Sequence, residues 1–244
     1  MVENNFCIDD LENENLENED VKIDDWENSR LDSNNKTVDI IKQNRWIDYL
    51  VKLQSIAQNG LAYCNNEFDL ERYTELRELS ALMMSDLTNL PIEKVKNVFL
   101  NETGYQTPKL VSRTAIFKGD KILLVQENYG LWTLPGGWCE VNVSLKDNAM
   151  KEVKEESGID CEITKLIAIL DGNKYREAQT AYGVCIAFFI AEEIGGKFVE
   201  NIETIDSAYF PLDELPEIDE SKVSLEQIKM CFKAREESWE VLVD

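Results

Sequence analysis

The sequence predicts an α/β protein in three parts: an acidic disordered tail over residues 1–38, a small all-helical domain over 39–104, and a domain over 105–244 in which β-strands surround a central helix. Three observations carry that division. The first stretch is crowded with Asn, Asp and Glu, as in Asp9-Asp10-Leu11-Glu12-Asn13-Glu14; apolar residues then recur at threes and fours as far as Leu100; beyond Pro108 they alternate or run continuously.

A segment so poor in hydrophobes cannot bury enough surface to offset its ordering entropy, which makes residues 1–38 a solubilising or partner-binding tail. Its scattered Phe6, Ile8, Leu11, Leu16, Ile23 and Trp26 are what a protein partner would take up. From Ile40 the period is helical, through Trp46, Ile47, Leu50, Val51, Leu53, Gln54 and Ala57 to a stop at Gly60. Asp69 is placed to cap a second helix with Leu70, Tyr73, Leu76, Leu79, Leu82 and Met83 on its apolar side. Pro91 opens a third, carrying Val95, Val98, Phe99 and Leu100. Three short amphipathic helices hold too small a core to stand alone, so they are expected to pack on the following domain or on a second copy of themselves.

After Pro108, Thr114-Ala115-Ile116-Phe117, a Gly119-Asp120 turn and Ile122-Leu123-Leu124-Val125 predict a hairpin. Further strands are expected at Ile163–Leu170, Val184–Ile190 and Ala208–Phe210, and a last helix from about Ser221 to Glu236.

Between hairpin and later strands lies a loop-helix-loop cassette. Gly136-Gly137 supply a tight loop, Ser144 caps a helix, and Gly158 ends it. Within that helix Glu152, Glu155 and Glu156 stand at i, i+3 and i+4, so their carboxylates project from one face. Clustered carboxylates offer the oxygen donors that a hard divalent cation, Mg²⁺ or Mn²⁺, prefers. Such an ion neutralises the charge on a pyrophosphate and lowers the pKa of a ligated water, which is what attack on a phosphoanhydride needs.

These residues resemble the Nudix box, the signature of the Nudix hydrolases. Gly137, Glu152, Val153, Glu155, Glu156, Gly158 and Ile159 match at the family spacing; Val143 stands where the family has its first Glu, and Lys151 where it has Arg. Lys151 keeps the positive charge without the planar fork of Arg, whereas Val143 has no oxygen to offer, so supporting charge must come from elsewhere. The resemblance implies an α/β/α sandwich with a mixed sheet, metal held by Glu152, Glu155 and Glu156, a backbone that approaches substrate at Gly136 and Gly137, and a base on a later acidic loop, with Glu203 and Asp206 the two candidates. The runs Gln54–Tyr63, Asp69–Tyr73 and Phe99–Lys109 are similar to the N-terminal domain of one Nudix branch, which includes bacterial CDP-choline pyrophosphatases. That likeness implies a homodimer, and in some members an RNA end-trimming activity.

Composition narrows the choice. The 244 residues include six cysteines with no C-x-x-C pair and no histidine, which disfavours a zinc site and His-based catalysis and suits a reducing cytoplasm. No apolar run reaches membrane-spanning length, and the acidic N-terminus does not read as a secretory signal. A net charge of -23 argues against electrostatic binding of nucleic acid or anionic membrane, and leaves an RNA-end activity without an evident basic channel.

For the substrate, Lys174 and Arg176 in the loop Asp171–Glu177 are candidate phosphate contacts, and Tyr175 or Tyr129 a candidate stacking surface for a base. The function expected is Mg²⁺-dependent hydrolysis of a nucleoside diphosphate joined to another group, CDP-choline-like or ADP-ribose-like, releasing a nucleoside monophosphate. The rival is a catalytically weakened nucleotide-binding or protein-interaction module that keeps the fold.

Overall fold

The computed structural model describes residues 28–175 and 183–244, with side chains from Arg45 onward. Most of the acidic tail, with its scattered hydrophobes, and Arg176 lie outside the described residues. The chain divides into two compact units at Thr107/Pro108.

The first unit is helical: α1 (Asn28–Tyr63), α2 (Glu67–Thr88) and α3 (Ile92–Phe99). Helix α1 therefore begins inside the stretch read as tail. Ile47 and Leu50 of α1, Ala81 and Met84 of α2, and Val95 and Phe99 of α3 form its core. Two details correct the sequence reading. The cap of α2 is Asn66, whose side chain accepts from the N–H groups of Phe68 and Asp69 at 3.0 and 3.2 Å. Asp69 instead lies in the first turn, where a carboxylate favours the positive end of the helix, and pairs with Arg72 at 2.6 Å. The buried stripe of α2 runs through Ser80, Ala81, Met84 and Thr88, leaving Leu79 and Leu82 exposed, as are Trp46, Tyr49 and Ile56 of α1.

The second unit is a mixed sheet between helices. Its strands are β1 (Lys109–Lys118), β2 (Lys121–Glu127), β3 (Trp132–Thr133), β4 (Ile159–Asp171), β5 (Val184–Gly196), β6 (Thr204–Pro211) and β7 (Leu242–Val243); its helices are α4 (Leu145–Ser157) and α5 (Leu225–Lys233). Strand β1 runs parallel to β5, β5 antiparallel to β4, and β4 parallel to β7. Strand β2 turns back from β1 through Gly119-Asp120 and is flanked by β6 and β3. The predicted hairpin, later strands and last helix are all present; β4 and β5 are longer than the apolar runs that announced them.

Alternation places Ala187, Phe189 and Ala191 of β5 on the face that packs under Ala149 and Val153 of α4, with Ile116 and Leu123 beside them. On the other face, Phe117 meets Phe232 of α5 edge-on with ring centroids 5.1 Å apart. Burial on both faces explains the continuous apolar runs of β1, β2 and β5. A polar residue inside such a run therefore stands out, and Arg113, buried in β1, is one.

Candidate active site

The glycine loop is bound to β1 as if it were a further strand. Thr114 N–H donates to Pro135, Ser112 N–H to Gly137 and Cys139 N–H to Leu110, at 2.8–3.0 Å. Gly136 has φ +146, and a side chain there would strike the Ser112 carbonyl, so both conformation and space call for glycine. Helix α4 starts as expected from Ser144, which accepts from Asp147 N–H, and stops at Gly158 in the left-handed region. Buried Asn148 ties helix to loop: its Oδ1 accepts from Glu140 N–H at 3.1 Å and its Nδ2 donates to Ser112 Oγ at 3.3 Å.

The three glutamates meet different surroundings. At 3.6 residues per turn Glu155 and Glu156 are roughly 100° apart around the axis, and the buried edge of the helix passes between them. Glu156 is buried and accepts the Gly136 N–H at 2.8 Å. Burial pushes its carboxyl up to about 8, against the pull of Arg113 and of the Gly136 bond, with Glu127 and Glu152 adding to the rise. Glu152, 13% exposed, lies in the middle; burial raises its pKa, and the charges of Glu155 and Glu203 push the same way while Lys151 opposes them. Gly137 leaves room for it, since a Cβ there would come within 2.5 Å of Glu152 Oε2. Glu155 is 53% exposed and paired with Lys151 at 2.5 Å.

Lys151 joins the outer carboxylates. Its ammonium lies 3.2 Å from Glu140 Oε1 and 3.5 Å from Glu152 Oε1, and Glu155, then Glu140 and Glu152, hold its pKa well above the ordinary lysine value. Around Glu156 the structure adds residues that spacing did not reveal. Arg113 donates to the carbonyls of Leu134 and Gly136, and Glu127, at the end of β2, pairs with Lys222 at 2.6 Å. Tyr129 donates to Asp219 at 2.6 Å, with the Lys222 ammonium 5.8 Å from its ring centre.

Of the two candidate bases, Glu203 is the one that acts electrostatically on Glu152. Its loop is fastened to the end of α4 by Thr204 Oγ1 on the Glu156 carbonyl and Asn201 Nδ2 on the Glu155 carbonyl, at 2.6 and 3.0 Å. Asp206 lies further along β6 and accepts from Ser207 N–H. In the predicted substrate loop, Lys174 stands 3.7 Å from Asp244, and Tyr175 shares the same carboxylate. That loop follows β4 at the sheet end carrying the glycine loop, because Asp171 and Leu110 both register with Cys185.

Among the described residues, no three acidic or cysteine side chains are gathered closely enough to cage a metal ion as they stand. The donor set does fit a hard divalent cation: every donor is a carboxylate oxygen, and Glu140, Glu152 and Glu155 already converge on one positive charge, the Lys151 ammonium.

A helix-sheet-helix sandwich with carboxylates packed beneath a glycine loop defines the class. The chain belongs to the Nudix hydrolases: residues 108–230 match the NUDIX domain, and residues 44–99 match the UDP-X-like N-terminal oligomerisation domain. It is 39% identical over 191 residues to the putative ADP-ribose pyrophosphatase YjhB of Bacillus subtilis (strain 168), covering 78% of this chain and 92% of that one. Among solved structures, a UDP-X diphosphatase is 30% identical with a TM-score of 0.55, covering 83% of this chain and 99% of the other. An ADP-ribose pyrophosphatase from Streptococcus suis 89-1591 is 50% identical with a TM-score of 0.53, covering 57% and 100%.

Proposed function

We propose that the protein hydrolyses the pyrophosphate bond of a nucleoside diphosphate linked to a second group, with Mg²⁺ or Mn²⁺, releasing a nucleoside monophosphate. The observation that carries this reading is the placement of Glu152, sequestered beneath Gly137 with Glu155 and Lys151 on one side and buried Glu156 on the other. Relatives named as ADP-ribose pyrophosphatases and a UDP-X diphosphatase support a diphosphate flanked by a nucleoside and a variable group.

Glu152, Glu155 and Glu156 would hold the cation, which when bound neutralises phosphate oxygens and lowers the pKa of a ligated water. Gly137, lacking a side chain, lets the diphosphate come close to Glu152. Glu203, whose charge acts on Glu152, is the one of the two acidic candidates that we favour to take the proton from the attacking water. Arg113 keeps the Gly136 carbonyl fixed and offsets part of the charge on Glu156. Tyr129, its hydroxyl held by Asp219, is the stacking surface we favour for the base.

The protein works as a dimer in this reading, through exposed Trp46, Tyr49, Ile56, Leu79 and Leu82 on the unit that matches an oligomerisation domain. Among the described residues no helix is long and apolar enough to cross a membrane, and five cysteines carry free thiols, which supports a cytoplasmic setting.

The test is turnover of ADP-ribose, UDP-sugars and CDP-choline with Mg²⁺ or Mn²⁺, compared with Glu152→Gln. A metal-held charge contributes several kcal/mol in the transition state, so kcat should fall roughly a thousandfold. Turnover that survives the substitution would place the chemistry elsewhere.

A further inference from the structure

Sheet register sets a row of partly exposed side chains beside Glu152. Cys139 lies opposite Leu110 through its N–H on the Leu110 carbonyl, Leu110 registers with Cys185 of β5, and Cys185 with Asp171 of β4. Residues opposite one another in neighbouring strands share a face. Here it is the α4 face, because Leu110 alternates with Ser112, which Asn148 of α4 touches, and Cys185 with Ala187, which packs with Ala149 of α4. Helix α4 covers the row of Ser112 and Ala187, both fully buried, and stops short of the next. In that next row Leu110 is 38% exposed, Cys139 and Cys185 are half-buried and Asp171 is exposed.

One end of the row meets the active site. Burial, and after it the Glu152 charge, push the Cys139 thiol up to about 11. At the other end burial, Asp171 and Asp244 raise the Cys185 thiol, and Lys174 stands 3.7 Å from Asp244. Asp244 also accepts the Asp171 N–H at 2.8 Å, which ties the carboxylates and the ammonium to the end of β4. Three strand spacings of about 4.8 Å separate the two ends, room for a phosphate and a sugar ring.

Both thiols stay protonated at neutral pH, so the middle of the row is apolar. Neutral thiols and a leucine suit the C–H face of a ring, whereas the far end offers an acceptor-only carboxylate beside an ammonium donor. Hydroxyl groups, donor and acceptor at once, use both; a quaternary ammonium would meet the Lys174 charge instead. We infer that the row from Cys139 through Leu110 and Cys185 to Asp171 is the subsite for the group joined to the nucleoside diphosphate, and that this group is a sugar. The inference rests on the pyrophosphohydrolase reading above and adds the class of the second group.

The experiment uses the full chain with Mg²⁺ and either ADP-ribose or UDP-glucose, whichever turns over faster. The two products, sugar phosphate and nucleoside monophosphate, serve as separate inhibitors of the unsubstituted protein, Asp171→Asn and Cys185→Phe. Asp171→Asn should weaken inhibition by the sugar phosphate roughly ten- to a hundredfold, the range for a hydrogen bond to a charged group. Cys185→Phe should weaken it by filling the row, and inhibition by the nucleoside monophosphate should stay within a few-fold in both. Because phenylalanine at a half-buried position can also disturb the fold, the unsubstituted protein gives a second reading. Maleimide modification of Cys185, located by peptide mass, should slow in the sugar phosphate and not in the nucleoside monophosphate. Parallel loss of both inhibitors, unchanged inhibition in both variants, or a Cys185 that the sugar phosphate leaves unprotected overturns the subsite. Turnover of CDP-choline alone, or protection by phosphocholine in place of a sugar phosphate, overturns the sugar. A protein that turns over no nucleotide conjugate and binds neither product defeats the hydrolase reading as well.

Discussion

On the outer flank of α4, Glu155 lies half exposed against the Lys151 ammonium; on the inner flank its sequence neighbour Glu156 is buried among the Gly136 N–H, Arg113 and Glu127. The same side chain on the same helix is thus a water-screened ion pair in one place and a desolvated acid in the other. Screened charges exchange partners at little cost, so in the function proposed above the outer flank is where Lys151 would give way to a metal ion. Desolvated charge needs a proton or a cation to be tolerated at all. The two flanks divide the work: one is easily opened, and the other creates the demand for positive charge.

The largest effect that tests this division is the pH dependence of stability in metal-free protein. The Glu156 carboxyl is raised from an ordinary 4.5 to about 8, so between those values the folded state holds a proton that the unfolded chain has released. Stability should therefore fall as pH rises through that window, by an amount on the order of several kcal/mol, and level off above it. Glu156→Gln imitates the protonated form and should flatten the slope, whereas Glu155→Gln should not. Denaturant unfolding in a chelating buffer at a series of pH values reads both. Parallel slopes for the two variants would erase the distinction between the flanks.

Next comes the support of the inner flank. Glu127 and Lys222 have side chains only 8% and 15% exposed, and Glu127 is one of the charges that raise Glu156. Lys222→Met leaves Glu127 buried without its partner, which should cost about 3–5 kcal/mol in unfolding free energy. A loss near that of a surface pair, under about 1 kcal/mol, would mean that water reaches Glu127.

What the sequence announced and what it hid separate along similar physical lines. The α4 cassette was legible because its signals are local: a Ser cap, i, i+3, i+4 carboxylates and a Gly stop lie within a few turns of one another. The hairpin and long strands were legible from continuous apolar runs. The two-residue strands β3 and β7 were not, because such short pairings exist only through their neighbours. Periodicity put Leu79 and Leu82 on the apolar side of α2, but could not tell that the adjacent helices of the same chain leave them uncovered. The Glu127–Lys222 pair spans 95 positions and leaves no local trace; Arg113, a charge inside an apolar strand, is the one signal that was open to be read.

Between the flanks stands Glu152, and the two glycines of the loop separate its geometry from the integrity of the fold. A Cβ at Gly136 would collide with the Ser112 backbone, which cannot yield without parting the loop from β1, and φ +146 adds strain. A Cβ at Gly137 would instead come within 2.5 Å of Glu152 Oε2, the free end of a side chain that can swing away. Gly137→Ala should therefore melt close to the unsubstituted protein while displacing Glu152 by something like an ångström, a misplacement that costs roughly a hundredfold in kcat. Melting curves and initial rates on the same preparation check both halves. Equal loss of stability and rate would place the Gly137 requirement in the backbone, and full activity would mean that Glu152 acts from a position the Cβ does not disturb.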